Sequence, residues 1–266
     1  MATIPPEKAP KPGLNNLRLC ICQSLQGDCP SRGAQISIDM AAGESQDEWY
    51  TSINPNGRMP ALVHVKEDGT SVTVFESAAC LLYMASEFDK EHKLSYPFGT
   101  PEYWTQLSWL SWQVAGLGPM MGQACYFNRY ATEPVPYASW RYTSKSRRFH
   151  HVLDKQLSTS PFVGGDRLTV ADIAIFIFTH SARWCGVDIN EFPNVKAWHD
   201  KLAQRPAFRK GLQVPVPYLF SDEAVVNPDG QDFYNGLRKN GGQMIKGATA
   251  RWQGDVVPVP SDHANY

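Results

Sequence analysis

A change of pattern near residue 100 divides this chain into two parts that fold differently. Before it, apolar residues alternate in short segments bounded by turn residues, which is typical of strands. After it, apolar residues recur every three or four positions over long stretches, as they do on one face of a helix. Two prolines and a glycine stand at the change, in residues 97–101 (PFGTP). Strands followed by helices predict a segregated α+β organisation in two domains.

Four segments of the first part have the pattern of β-strands. They are residues 17–22 (LRLCIC), 35–40 (QISIDM), 60–65 (PALVHV) and 71–75 (SVTVF). The last two flank the turn residues Glu67, Asp68 and Gly69, which predicts a hairpin. A helix is predicted over about 77–89, because the apolar residues there fall at helical spacing.

Helical patterns occupy the second part. They cover about 102–130, 139–157 and 194–202. A further helix is predicted to open at Thr169, because Thr169 and Asp172 fit a capping box while Leu168 and Ile173 fit a hydrophobic staple. The apolar run that follows, 173–178, predicts a buried central helix.

The composition indicates a globular protein and excludes several partners. Apolar residues make up 42% and aromatic residues 12% of the 266 positions, which is enough for a sizeable core. The net charge is −1, so we expect neither nucleic acid nor an anionic membrane as a partner. No stretch approaches the roughly 20 apolar residues of a membrane span. The first residues lack the apolar core of a secretion signal, and we therefore expect a cytoplasmic protein.

Six cysteines are present, at positions 20, 22, 29, 80, 125 and 185. In a cytoplasmic chain of this size they are expected to be reduced thiols. Cys20, Cys22 and Cys29 lack the CxxC spacing of a zinc site, and no pair of histidines completes four ligands. We therefore expect no metal.

Three segments resemble motifs of the glutathione transferases, in the same order and at similar spacing. Residues 54–62 (NPNGRMPAL) are similar to the NPxGxVPxL segment, 75–79 (FESAA) resemble the W/F-E-S-x-A segment, and 168–173 (LTVADI) match the late capping box. The helical half looks like the fungal class related to the yeast nitrogen-catabolite regulator, for example in 116–123 (GLGPMMGQ). The resemblance covers about residues 17–218.

This resemblance implies a thioredoxin-like N-terminal domain, with a four-strand sheet and helices, and an all-helical C-terminal domain. The expected divisions are a flexible leader at 1–16, a glutathione-binding domain at 17–95, a linker at 96–101, the helical domain at 102–218 and an extended tail at 219–266. It also implies a homodimer that uses glutathione as co-substrate. The implied activity is conjugation of glutathione to a small hydrophobic electrophile, or isomerisation through glutathione, in fungal secondary metabolism or detoxification.

The resemblance places glutathione binding at Arg58, Met59, Pro60, Glu76 and Ser77. In the family the proline is cis, and the backbone before it pairs with the cysteinyl part of glutathione. Glu76 would meet the ammonium group, and the helix start at Ser77 suits a carboxylate because exposed N–H groups lie there. From spacing alone, a trans turn, an ordinary N-cap serine and a solvated arginine are the alternatives.

The catalytic segment departs from the family pattern. Family members place a Tyr, Ser, Cys or Asn after the first strand, where its hydrogen bond stabilises the glutathione thiolate. Ser24 and Gln26 are the candidates here, with a polar loop as the alternative. Cys29 opens a segment (CPSR) that resembles the start of glutaredoxin-like proteins, where a cysteine at a helix N-terminus forms mixed disulfides. Only 19 positions separate Leu17 from Ile36, which predicts an incomplete first helix.

A pocket for the second substrate is expected between the two domains. Its candidate lining residues are large and apolar: Trp109, Trp112, Met120, Met121, Tyr126 and Phe127. Core packing is the alternative for most of them. Two further functions stay open beside the transferase, namely a non-catalytic binding or regulatory protein with this fold, and a thiol reductase that depends on Cys29.

Overall fold

The described strands form a three-stranded antiparallel sheet, and all the described α-helices except the short one at Glu48–Thr51 follow it in the chain. The computed structural model describes residues 17–19, 36, 38, 43–131, 133–213, 218 and 220. The strands are β1 (Leu17–Leu19), β2 (Ala61–Val65) and β3 (Ser71–Phe75), and β2 lies in the centre. β2 and β3 form the predicted hairpin, in which Ala61 pairs with Phe75 and Val65 pairs with Ser71.

The predicted four-strand sheet is not confirmed. Three of the four predicted segments contribute a strand within the described residues. The other segment, 35–40, is described only at Ile36 and Ile38, and neither residue lies in a strand. Ile38 instead packs against a small cluster that contains Tyr50 and Ile53, so its side chain contributes to packing beside the sheet.

The described helices follow the predicted order. They are α1 (Glu48–Thr51), α2 (Ser77–Phe88), α3 (Pro101–Trp112), α4 (Gly118–Cys125), α5 (Pro136–Leu157), α6 (Val170–His180), α7 (Pro193–Ala203) and α8 (Pro206–Gly211). Short 3₁₀ turns occur at Glu44–Gln46 and Ile189–Glu191. None of these helices combines the length and the apolar character that crossing a membrane requires.

The helix predicted over 102–130 contains two π-helical segments, Gln113–Leu117 and Tyr126–Tyr130, which follow α3 and α4. The first of them lies where the backbone approaches α5 closely. A Cβ atom on Gly116 would lie 2.5 Å from Cε1 of Phe149, so only glycine fits at this point. The wider π turn thus coincides with a close helix–helix approach.

Helix α6 is the central helix, as predicted, and packs against α2, α3 and α7. Its start is fixed by Asp172, whose carboxylate accepts hydrogen bonds from the Thr169 N–H at 2.9 Å, the Thr169 hydroxyl at 3.0 Å and the Val163 N–H at 2.9 Å. Trp198 Nε1 of α7 donates a fourth bond at 3.0 Å. The predicted capping box is confirmed, and it also ties α7 to α6.

The sheet part and the helical part share one hydrophobic core. Its fully buried members include Leu62 of β2, Leu81 of α2, Leu110 of α3, Leu153 of α5 and Ile175 of α6. A backbone bond also joins the two parts, because the Val170 N–H donates to the Leu94 carbonyl at 2.9 Å. The two parts are therefore joined both by a common core and by a backbone hydrogen bond.

Candidate functional site

The hairpin register brings the two halves of the predicted glutathione site together. Ala61 begins β2, Phe75 ends β3, and the two residues pair. Pro60 and Glu76 are the next residues outward on the two strands, so they lie at the same end of the hairpin. The segment 58–60 therefore lies beside the start of α2.

A buried asparagine organises the loop before β2. Asn54 is 1% exposed. Its Nδ2 donates to the Arg58 carbonyl and lies 3.5 Å from the Pro60 carbonyl, while its Oδ1 accepts the Asn56 N–H at 3.0 Å. The Tyr50 hydroxyl donates to the same Arg58 carbonyl at 2.9 Å. Sequence reasoning did not assign this positioning role to Asn54, although asparagine before proline is a known turn signal.

The loop presents an exposed surface at its end. The Met59–Pro60 peptide bond is cis, as the resemblance implied. Met59 is 41% exposed. Arg58 is exposed as well, and within the described part of the chain its guanidinium group has no hydrogen-bond or ion-pair partner. The loop therefore offers one cation at the end of the hairpin.

Helix α2 begins without a side-chain cap. Glu76 is its N-cap residue, with φ +69, and its carboxylate makes no capping hydrogen bond. The N-cap alternative for Ser77 is wrong, because Ser77 is the first residue inside the helix. The first N–H groups of the helix and the positive end of its dipole are thus available to an anion. A positive φ at a non-glycine residue is a strained conformation of the kind found at functional sites.

Substitution of Gly57 by alanine is expected to displace this loop. Gly57 has φ +59, and a Cβ atom there would lie 2.3 Å from Gln46 Nε2 and 2.9 Å from the Ser45 carbonyl oxygen. We expect Gly57→Ala to lower the free energy of unfolding by about 2–3 kcal/mol. Gly43→Ala is the matched control, because Gly43 has φ +80 but no atom within 4 Å of the added carbon. The Gly43→Ala variant should lose only about 1 kcal/mol of unfolding free energy. If urea unfolding shows equal losses in both variants, the added carbon at position 57 does not collide with Gln46 and Ser45.

Two family models match the chain, the glutathione S-transferase N-terminal domain over residues 34–87 and the C-terminal domain over 143–206. Disulfide-bond oxidoreductase YfcG of Escherichia coli K12 is 38% identical over 179 residues, which cover 66% of this chain and 81% of that protein. This chain belongs to the glutathione S-transferase family. The family's fungal, Ure2-related class, which the sequence indicated, is represented among its relatives.

Two fungal members of the glutathione S-transferase family illustrate this likeness. Glutathione S-transferase-like protein gedE of Aspergillus terreus is 33% identical, over 63% of this chain and 79% of that protein. The crystal structure of glutathione transferase URE2P6 from Phanerochaete chrysosporium, in complex with oxidized glutathione, superposes with a TM-score of 0.69. It is 34% identical, and the match covers 74% of this chain and 94% of that one.

The residues predicted to line the pocket for the second substrate differ in how deeply they are buried. Met121 is fully buried in the core, so it presents no surface to a bound molecule and the core alternative applies to it. Trp112 and Met120 are partly buried and pack against the core. Tyr126 lies in the second π-helical segment, with its ring centroid 4.9 Å from that of Phe127. That these partly buried residues and Trp109 line a substrate pocket stays a prediction.

The candidate catalytic residues of this glutathione S-transferase family member, Ser24, Gln26 and Cys29, lie outside the described residues. The incomplete first helix predicted between Leu17 and Ile36 lies almost wholly outside them too. The described geometry therefore concerns how glutathione would be held. The activation of its thiol stays a prediction from the sequence.

Proposed function

We propose that this chain is a glutathione-dependent enzyme that brings the glutathione thiolate to a small hydrophobic electrophile. The thiolate would conjugate to the electrophile or add transiently to isomerise it. One observation carries the proposal: the hairpin register sets the segment that contains the exposed Arg58 beside the uncapped start of α2. Ser24, Gln26 or Cys29 would stabilise the thiolate, as the resemblance implies.

The charges at this end of the hairpin complement those of glutathione. Glutathione carries two carboxylates, one ammonium group and one thiol. The helix start at Ser77 suits one carboxylate, and Arg58 suits the other through charge-assisted hydrogen bonds. The exposed carboxylate of Glu76 suits the ammonium group, and the backbone of Met59 would pair with the cysteinyl part. A site with one cation, one anion and free N–H donors fits a zwitterionic peptide of this kind.

The relatives support the wider proposal. The Phanerochaete chrysosporium structure holds oxidized glutathione, and the Aspergillus terreus relative is described as glutathione S-transferase-like. We extend the proposal to a cytoplasmic protein and, as the family resemblance implies, to a homodimer that acts in fungal secondary metabolism or detoxification. Sedimentation analysis of the purified protein tests the homodimer, and a monomer at micromolar concentration would contradict it.

Substitution of Arg58 by alanine is expected to weaken glutathione binding about tenfold, because one charge-assisted hydrogen bond to a carboxylate is lost. Isothermal calorimetry on the wild type and the Arg58→Ala variant measures the change. Arg209→Ala is the matched control, since Arg209 is an exposed arginine of α8. It should bind glutathione like the wild type. A folded wild-type protein that binds no glutathione would overturn the proposed function.

A second candidate function is reduction of disulfides with glutathione. It is favoured by the Escherichia coli relative, which is described as a disulfide-bond oxidoreductase, and by the cysteine at position 29. Assays of the wild type and a Cys29→Ser variant should use a small disulfide and a chloronitrobenzene electrophile in parallel. Disulfide reduction that Cys29→Ser abolishes supports this candidate, while conjugation that survives the substitution supports the transferase. Binding without turnover of either substrate supports a non-catalytic regulatory protein.

A further inference from the structure

Two thiols meet in the helical part of the chain, away from the residues assigned to glutathione. Cys125 ends α4, and Cys185 lies in the turn after α6. Both are free cysteines. The side chains of Cys125 and Cys185 hydrogen-bond to each other, and beside them the Trp184 indole N–H donates to the Tyr130 hydroxyl at 3.2 Å.

Hydrogen bonds hold the turn that carries Cys185 against the end of α4. Asn128 Nδ2 donates to the Cys185 carbonyl at 3.0 Å, and Arg129 Nε donates to the Trp184 carbonyl at 2.9 Å. The approach is close at Gly186 (φ +90), where a Cβ atom would lie 2.8 Å from Asn128 Nδ2. These contacts hold the turn that carries Cys185 against the end of α4, where Cys125 lies.

The two thiols have unequal environments. Cys125 is partly exposed, whereas Cys185 is 5% exposed. The hydrogen bond from Cys185 lowers the pKa of the Cys125 thiol, with further help from Tyr130 and Trp184 and from the positive charge of Arg129, against the effect of burial. Donation of that hydrogen bond, together with burial, raises the pKa of Cys185. Since the thiolate is the reactive form and Cys125 is the more exposed thiol, we assign Cys125 as the nucleophile of the pair.

We propose that Cys125 and Cys185 form a redox-active pair that glutathione disulfide oxidises to an intramolecular disulfide. The Cys125 thiolate attacks one sulfur of glutathione disulfide, whose S–S bond breaks and releases one glutathione thiolate. That thiolate takes the proton of Cys185. The Cys185 thiolate then attacks the Cys125 sulfur and releases the second glutathione. Two protein thiols are oxidised, and one glutathione disulfide is reduced to two glutathione molecules.

Peptide mapping of the full chain tests this pair directly. The reduced protein is incubated with glutathione disulfide, free thiols are alkylated, and trypsin separates peptide 94–129, which contains Cys125, from peptide 184–196, which contains Cys185. We expect these two peptides linked by a disulfide that dithiothreitol removes. Cys80 is an internal control, because burial raises its pKa to about 12. It should be modified at least about a hundredfold more slowly than Cys125.

Two variants separate the roles of the two thiols. Cys185→Ser is expected to stop the reaction at the mixed disulfide and retain glutathione on Cys125. Cys125→Ser should leave Cys185 reduced, and Cys80→Ser should form the linked peptides at the wild-type rate. Unlinked wild-type peptides, or a Cys185→Ser variant without glutathione on Cys125, would overturn the proposal. The peptide map of the wild-type protein requires no substitution and does not depend on glutathione binding at Arg58. The proposed redox pair and the proposed function can therefore fail separately.

Discussion

Substitution of Asp172 by alanine is expected to lower the free energy of unfolding by about 3–5 kcal/mol, since a single change leaves several buried donors without an acceptor. The Asp172 side chain is fully buried and accepts four hydrogen bonds, from Val163, Trp198 and both donors of Thr169. Burial raises the pKa of this carboxyl. The four hydrogen-bond donors favour its charged form and partly oppose this rise. Alanine would leave the donors unpaired at the start of the central helix and at its contact with α7.

Urea unfolding of Asp172→Ala, Asp172→Asn and the wild type measures this loss. Asparagine keeps the shape but presents an NH₂ group to donors that need an acceptor, so we expect a large part of the loss in that variant as well. Asp166→Ala is the matched control. Asp166 is exposed and accepts one hydrogen bond, from the Tyr96 hydroxyl at 2.6 Å, so its loss should cost less than about 1 kcal/mol. Similar losses at Asp166 and Asp172 would show that the buried network does not stabilise α6.

The same carboxylate shows which parts of the fold the sequence could predict. The bond between Asp172 and Thr169 is local, and the capping-box spacing predicted it. The bond to Trp198 joins residues that are 26 positions apart, and no local pattern specifies such a pairing. The central helix could likewise be predicted, because its apolar run is continuous in the sequence. The close approach of Gly116 to Phe149 and the π turn beside it could not, because they depend on how α5 packs.

The candidate site divides in the same way. Turn residues and alternating apolar positions predicted the β2–β3 hairpin, and the hairpin register then places Pro60 beside Glu76. The role of Asn54 was not predicted, because it depends on three-dimensional contacts with carbonyl groups of the loop. The strand predicted at 35–40 was not confirmed, since alternation of Ile36 and Ile38 is satisfied equally by packing beside a sheet and by pairing within one.

The pairing of Cys125 with Cys185 is the feature that the sequence was least able to predict. The cysteine count predicted reduced thiols, and both residues are free. Their contact spans 60 positions and arises only when α4 meets the turn after α6. The family resemblance could not supply it either, because none of the segments that carry that resemblance contains Cys125 or Cys185. Such a contact depends on tertiary packing, which no local sequence pattern specifies.

Acidification is expected to destabilise the protein through a pair of histidines, the partly buried His180 and the buried His199. His180 Nδ1 lies 3.0 Å from His199 Nε2, and both rings stack on Phe176. His199 Nδ1 lies 3.2 Å from a carboxylate oxygen of Asp200. Burial, followed by the neighbouring His199, lowers the pKa of His180 to about 4. The pair therefore resists a second proton within the folded protein.

The direction of the effect follows from proton binding in the two states. An unfolded histidine has a pKa of about 6.5, so between about pH 6.5 and pH 4 the unfolded chain binds a proton at position 180 that the folded chain does not. The contribution of His180 to stability is therefore complete above pH 6.5 and is lost as the pH falls to 4. We expect a loss of about 2–3 kcal/mol, since partial exposure of the ring reduces the full effect.

A comparison of the wild type with a His180→Phe variant isolates this effect. Phenylalanine keeps an aromatic ring beside Phe176 but cannot bind a proton. Other groups, including the buried His150, whose pKa is also lowered by burial, titrate in both proteins and cancel in the difference. Urea unfolding at intervals from pH 7 to pH 4.5 should therefore show a shallower loss of stability in the variant. Parallel curves would mean that His180 accepts a proton in the folded protein as readily as in the unfolded chain, and the contact with His199 would then impose no electrostatic cost.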